Sequence, residues 1–431
     1  MLMMKIQCGG DIVESISKKK VGIKDLFPYK SYLVVLMANF ISRFGDSVDS
    51  IAYSWMVYAM TGSKVLLGSI FAVNAIPNIV FGPFTGVLVD YFSKKKLIII
   101  GDIGRGIIVS IVGVMFLFNW LEPWHLFVFT FITSTFESIV NPSKTSLLPI
   151  LLPKELYTNA SSFSDSLLSM AQLFGYGISG FLIGTIGITG ALIVDGITFF
   201  ASCILIAQIN IKSIKKNKKE KFDIKTYFNN LKKGFKFVIG ENIIVVGIVL
   251  FALTNLFLTP ISVLSVAYIR DVLFAGPKVF GLVSIALPAG MIMGGLVFAQ
   301  IGYKFKKSSS IIGGLVIMGM SYSVLGLIGF VNIPLISPVI IAFIVFLMFG
   351  IVMPAITAPL KTHVFTNTPK EMLGRVIGVL SMVTTSAMPL GGAISGALSE
   401  KMSIQSLYLT MGLVMMIFPF AALLNKDFRK A

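Results

Sequence analysis

Charge is scarce in this sequence. Asp, Glu, Lys and Arg make up 13% of its 431 residues, against roughly 25% in a soluble globular chain. Acidic residues are scarcer still, 19 against 36 Lys and Arg, and there are two histidines, His125 and His363. The histidines fall at helix edges on opposite sides. No cluster has metal-ligand spacing and no nucleophile has a base beside it, which argues against an enzyme and leaves no metal or cofactor to expect. The two cysteines, Cys8 in the leading tail and Cys203 in an apolar span, are too few and too distant for a disulfide framework. A G-x-x-x-x-G-K-[ST] phosphate loop is missing, which disfavours ATP as a direct energy source. The first 30 residues hold Lys5, Lys18, Lys19, Lys20, Lys24 and Lys30 but no continuous apolar core with a cleavage site. They are expected to form a cytoplasmic tail, not a signal peptide.

What is abundant is apolar length. Hydrophobic residues reach 55% and mean hydropathy is +0.89, so lipid is the expected solvent, and backbone polar groups in lipid force helices. Twelve runs are long enough for a hydrocarbon core of roughly 30 Å: 32–60, 65–89, 97–118, 124–148, 158–184, 188–209, 243–269, 276–301, 309–331, 336–360, 374–398 and 404–425. The predicted class is all-α integral membrane, two pseudo-symmetric six-helix bundles. The parts are a tail at 1–31, bundles at 32–209 and 243–425, a basic linker at 210–242 and a second tail at 426–431. With both termini inside, thirty of the 36 Lys and Arg fall on the inner side. Only Lys64, Arg270, Lys278 and Lys401 lie outside, and Arg43 and Arg105 lie within spans, a strong positive-inside bias. The lysines punctuate spans and are not gathered on a folded face, so nucleic acid is not an expected partner. In the linker, Ile224, Tyr227, Phe228, Leu231, Phe235 and Val238 recur at helical spacing, which suits a segment lying on anionic lipid.

The halves repeat each other at an offset of 216 residues. Pro153, Lys154 and Glu155 map onto Pro369, Lys370 and Glu371; Gly175 maps onto Gly391; and Ile178, Ser179 and Gly180 map onto Ile394, Ser395 and Gly396. Parallel six-helix repeats are a transporter architecture. The small residues that recur would let helices pack closely or slide.

Eight ionisable residues fall inside spans, all in the first half: Arg43, Asp46, Asp49, Asp102, Arg105, Glu137, Asp165 and Asp195. Unpaired in lipid they would cost on the order of 20 kcal/mol together, so they must face one another or water. Asn39, Arg43, Asp46, Ser47, Ser50 and Ser54 share one face of the first helix, with Asp49 off that stripe. The fourth helix repeats the device with Thr130, Ser134, Glu137, Asn141 and Lys144, and the fifth with Thr158, Ser161, Asp165, Ser169, Gln172 and Tyr176. Three polar stripes imply a hydrated cavity, with Ser50, Ser54, Asn141 and Gln172 as candidate solute contacts. Arg43 with Asp46, and Asp102 with Arg105, are spaced to pair along their own helices. Glu137 has no opposite charge within one turn of its helix, so Arg43 is its expected partner. A buried carboxyl beside an arginine able to release it is the physical basis of a proton-coupled switch. Glu137 leads the coupling candidates, followed by Asp46 and Asp49, within a network that includes Arg43 and Asp165.

The stretch Gly86-Val87-Leu88-Val89-Asp90-Tyr91-Phe92-Ser93-Lys94-Lys95-Lys96 resembles the signature loop of the major facilitator superfamily, with lysines where arginines are usual. Arg43-Phe44-Gly45-Asp46, Asp102 with Arg105, Asn141-Pro142, Leu147-Leu148-Pro149, Pro153-Lys154-Glu155, Asn159-Ala160, Gly374-Arg375-Val376 and Pro389-Leu390-Gly391 are similar to the drug:proton antiporter branch that holds macrolide efflux proteins and the enterobactin exporter. That resemblance covers nearly the whole chain. It implies alternating access, a central site between the halves, and an inner-surface latch at Asp90, Lys94, Asp102 and Arg105. The implied partners are protons, membrane lipids and a small lipophilic or amphipathic solute, moved by a monomer in a bacterial cell membrane. A second half without deep charges, rich in Phe and Met, suits such a solute. A dedicated exporter or importer of one metabolite, siderophore or lysophospholipid would use the same architecture. A non-transporting sensor or assembly subunit is the alternative of another class.

Overall fold

The computed structural model describes residues 23–209, 232–233, 235–330 and 336–422. Among these, regular structure is entirely helical. The first half holds α1 (Lys30–Thr61), α2 (Lys64–Tyr91), α3 (Lys94–Leu117) and α4 (Pro123–Thr145), then a continuous stretch Tyr157–Gln208. That stretch breaks at Gly187, whose φ of 74° and ψ of 177° are open to glycine and costly for other residues. It therefore counts as two helices, α5 before Gly187 and α6 after it. The second half holds α7 (Asn242–Ala267), α8 (Pro277–Ile301), α9 (Lys307–Ile328), α10 (Ile336–Asn367), α11 (Lys370–Lys401) and α12 (Ile404–Ala421).

Eight stretches are long and apolar enough to cross a membrane, and one of them, Asn159–Gln208, contains both α5 and α6. The other three helices, α1, α4 and α11, are diluted by polar residues. The helices overrun the expected spans at several ends: α1 and α11 each have 32 residues, about 48 Å at 1.5 Å per residue. Local chemistry sets their ends. Gly62, at φ 61°, closes α1 by donating its N–H to Tyr58 O. The Ser63 hydroxyl caps α2 by accepting from Leu66 N at 3.2 Å, and Ser403 does the same for α12 from Ser406 N.

The chain crosses back and forth, which defines two faces. The terminal face carries residue 23, the α2–α3, α4–α5, α8–α9 and α10–α11 connections, and residue 422. The far face carries the α1–α2, α3–α4 and α7–α8 connections and Gly187. Of the periodic linker segment, Phe235 and Val238 are described. They pack with Ile244, Ile248, Val376 and Val379 of α7 and α11, whereas Ile224, Tyr227, Phe228 and Leu231 lie outside the described residues.

The halves meet through α2 against α11 and α5 against α8, two contacts that exchange under the 216-residue repeat. Gly180 lies so near α8 that a Cβ there would come 2.7 Å from Lys278 Cα, and its repeat mate Gly396 lies so near α2 that a Cβ would come 3.0 Å from Val65 Cα. Gly175 presses on Ser47 of α1 and Gly391 on Thr259 of α7 in the same symmetric way. These glycines pack backbone against backbone, and the inter-half contacts through Gly180 and Gly396 sit toward the far face. Tyr58, at the end of α1, completes that closure. Its hydroxyl donates to the Asp271 carboxylate, and Arg270 donates to Tyr58 O at 3.2 Å with its guanidinium 5.3 Å from the Tyr58 ring.

Candidate functional site

The three polar stripes of α1, α4 and α5 line one cavity of about 480 Å³ that runs inward from the terminal face, where Leu148 and Leu151 flank it. Asn39, Arg43 and Asp46 come from α1, Glu137, Asn141 and Lys144 from α4, and Asp165, Ser169 and Gln172 from α5. A second chamber of about 350 Å³ continues toward the far face between the halves. Ser50, Ser54, Asn74, Thr130 and Ser262 contribute polar groups to its lining, and Phe71, Val109, Phe129 and Val263 apolar ones. Arg43, Asp46, Arg105 and Glu137 border both chambers. A ring of charge thus stands at the junction.

The ion pairs differ from those expected along single helices. Arg105 reaches from α3 to α1, its Nη2 donating to Asp46 Oδ1 at 2.6 Å, while its guanidinium sits 4.2 Å from the Phe199 ring of α6. Asp102 pairs with Lys144 of α4 at 3.7 Å and accepts from the Ser202 hydroxyl at 2.7 Å. The reason is burial. Asp102 is 0% and Arg105 6% exposed, and an intrahelical pair on a packed face would leave lone pairs and protons unsatisfied that neighbouring helices can supply. Arg43 donates to Gln172 Oε1 at 3.2 Å, and Gln172 Nε2 donates to Tyr176 OH at 3.0 Å. Glu137 accepts from Asn141 Nδ2 at 3.3 Å. Among the described residues it makes no ion pair with Arg43, although both border the two chambers.

Of the other candidates, Asp165 is exposed in the terminal-side cavity and Asp49 borders the second chamber, as do Ser50 and Ser54. Lys94 opens α3 and donates to Val89 O at 3.0 Å, bonding a carbonyl of the last turn of α2. Asp90 lies in that last turn; its side chain is outside the described residues. Asp102 and Arg105 sit among α1, α3, α4 and α6, inside the bundle and joined to the charged ring.

Several participants escaped sequence reasoning. Thr198, Phe199 and Ser202 join Asp195 at positions i, i+3, i+4 and i+7, a stripe on α6 that helical spacing makes readable. Lys144 was visible on the α4 stripe, but no spacing rule pairs it with a residue 42 positions earlier. The Tyr58, Arg270 and Asp271 clasp joins residues more than 200 positions apart and carries no local signal.

The profile of the transmembrane secretion effector family matches residues 26–430. The chain is 26% identical over 410 residues to the MFS-type transporter YfiS of Bacillus subtilis, covering 94% of this chain and 95% of that one. It is 22% identical over 392 residues to macrolide efflux protein A of Streptococcus pyogenes (90% and 94% covered) and 22% identical over 397 residues to the multidrug efflux pump Tap of Mycolicibacterium fortuitum (90% and 94%). Among solved structures it shares its fold with a bacterial homologue of the iron transporter ferroportin in an inward-facing state, with a TM-score of 0.73 at 15% identity, covering 91% of this chain and 98% of that one. By the profile match and by its two six-helix bundles, the chain belongs to the transmembrane secretion effector family of major facilitator transporters.

Proposed function

We propose that this transporter is a proton-coupled exporter of lipophilic or amphipathic compounds, working by alternating access, with its terminal face in the cytoplasm. The observation that carries this is the pair of chambers that share Arg43, Asp46, Arg105 and Glu137. The first is flanked by Leu148 and Leu151 at the terminal face, and the second lies toward the far face, where Tyr58 and the inter-half glycine contacts join the halves. Such a path suits loading from one side only, the resting half of a rocking cycle. The basic residues at the terminal face, among them Lys94, Lys95, Lys96, Lys304, Lys306 and Lys307, support its cytoplasmic orientation, and the efflux names of two relatives support outward transport.

Glu137 is the coupling carboxylate in this scheme. It borders both chambers, accepts a single 3.3 Å hydrogen bond from Asn141, and shares the border between the chambers with Arg43 and Arg105. A second chamber lined by both polar and apolar side chains suits an amphipathic solute.

The test is accumulation of the lipophilic dye ethidium in cells expressing the protein, with and without a protonophore, beside a Glu137→Gln variant. Lower accumulation that the protonophore and the substitution both abolish supports the scheme. Retention of full protonophore-sensitive efflux in Glu137→Gln removes Glu137 from coupling. No effect of the wild-type protein on a panel of such dyes favours a dedicated carrier of one metabolite, siderophore or lysophospholipid, a reading that the strongly polar terminal-side chamber also accommodates.

A further inference from the structure

Two ion pairs, Arg105 with Asp46 and Lys144 with Asp102, engage two of the three cations that line the chambers. The third, Arg43, bonds the neutral amide of Gln172. Four carboxyls of the same bundle make no ion pair among the described residues: Asp49, Glu137, Asp165 and Asp195. Four against one guanidinium leaves the interior of the bundle short of positive charge. Three of the four are otherwise provided for. Asp165 is exposed in the terminal-side cavity and Glu137 accepts from Asn141. Asp195 accepts from Thr198 Oγ1 at 3.2 Å and lies against Gly45 of α1, where a Cβ would collide with both side chains. Asp49 has no such provision: it borders the second chamber, and its Oδ1 is buried with no hydrogen-bond partner. An ionisable group left open inside a membrane bundle marks a place where something binds, and here the missing partner is positive.

The surroundings of Asp49 suit an organic cation. Tyr53 follows one turn later on the same face of α1. Its ring is tied across to α4, the hydroxyl donating to Leu126 O at 3.1 Å and bonding Thr130 Oγ1 at 2.9 Å. A fixed ring beside a carboxyl recognises ammonium and phosphonium groups, which are drawn to the face of the ring as well as to the charge. Phe71, Val109 and Phe129 add apolar lining to a volume of about 350 Å³. Among the described residues no three acidic, His or Cys side chains group to hold a metal ion, so the lining favours an organic cation over an inorganic one.

We infer that the second chamber is a subsite for the positively charged group of a lipophilic cation, with Asp49 as its counter-charge and the Tyr53 ring beside it. The subsite belongs to the first half: Ser262 and Val263 of α7 are its only lining from the second among the described residues. Its part in transport rests on the export reading above, whereas the binding does not.

The experiment measures equilibrium binding of tetraphenylphosphonium to the purified protein in detergent, with no gradient present and protein-free micelles as the blank. Tetraphenylborate, an anion of nearly the same size and shape, is the comparison. Wild type is expected to bind the cation at least tenfold more tightly than the anion. Asp49→Asn should lose at least tenfold in affinity for the cation and none for the anion, and Asp49→Glu should restore the preference. Equal or tighter binding of the borate by wild type overturns the cation class. An unchanged preference in Asp49→Asn overturns the place given to Asp49. If that variant does not fold, Ser262→Lys decides, since Ser262 is exposed to the chamber from the second half: an added cation there should weaken phosphonium binding at least tenfold, and unchanged binding overturns the subsite. Selective phosphonium binding in a protein that lowers no dye accumulation rejects dye export and leaves the subsite standing. Protonophore-sensitive dye efflux by a protein with no charge preference does the reverse.

Discussion

The two halves of this transporter share one fold and differ in what fills it. At the 216-residue offset, Asp102 and Arg105 correspond to Met318 and Ser321, Glu137 to Met353, Asp46 and Asp49 to Ser262 and Ser265, and Asp195 to Met411. Where the first half joins α1, α3 and α4 by ion pairs and ties α6 to them through Ser202 and Phe199, the second joins the end of α7 to α9 and α12 by tyrosine rings. Tyr268 lies over Tyr408 at 5.2 Å, Tyr322 meets Tyr408 edge-on at 5.2 Å, and Tyr268 OH donates to Leu325 O at 2.8 Å. Both solutions satisfy the same packing problem, so the charges of the first half are not needed to build the fold. Apolar filling of buried ion-pair positions is often at least as stable, which makes the first half the place to test for a use of charge.

The comparison can be broken most severely at Arg105. Arg105→Met leaves Asp46 without its 2.6 Å partner and should cost about 3–5 kcal/mol, read as a large fall in the thermal unfolding midpoint of the purified protein. Next comes the converse, Met318→Asp, which puts a carboxylate at a site 1% exposed where the second half has Leu360 in place of Lys144. It should cost roughly 2.5–3.5 kcal/mol and reduce the yield of folded protein, while Asp102→Asn in the first half should be milder because Ser202 can still donate.

A smaller effect is expected where the halves touch. Tyr58→Phe removes the hydrogen bond to Asp271, worth about 1.5–3 kcal/mol to a charged acceptor, and in the proposed alternating-access scheme that bond helps hold the far face shut. The closed state should lose roughly 10- to 100-fold in population relative to the alternative. A cysteine at Ser262, in a background without Cys8 and Cys203, should then react faster with a thiol reagent added from the far face; an unchanged rate would show that the clasp does not set the equilibrium. The smallest effect concerns α4, whose start pairs Glu122 and His125 in a capping box. His125→Ala should cost about 0.5 kcal/mol, a shift in the unfolding midpoint near the limit of detection with no change in transport.

How much was legible beforehand follows from the range of each interaction. The three polar stripes are legible because a helix face repeats every three to four residues, and part of each lines one cavity, while Ser50, Ser54 and Thr130 line the second chamber and Ser47 and Ser134 are packed away from both. Arg43, Asp46 and Glu137 were placed in a common network for the same reason. Their partners were not legible. Arg43 bonds Gln172, Asp46 bonds Arg105, and Asp102 bonds Lys144, each across helices that any register of packing could have brought together. Asp195 was visible as a misplaced charge, but its setting depends on Gly45 and Thr198, which meet only when α1 lies on α6.

By itself the sequence determined that lipid is the solvent, that the chain crosses it twelve times in two repeated halves, and that charge deep within spans is confined to one of them. Each of those follows from composition and spacing along the chain, because the cost of burying a polar backbone or a charge in hydrocarbon is local and large. Tertiary structure alone decided which charges pair, which face of the transporter is shut, and how the glycines of the repeat are used. These depend on helix register and crossing, where alternatives differ by only a few kcal/mol spread over contacts between residues far apart in the chain.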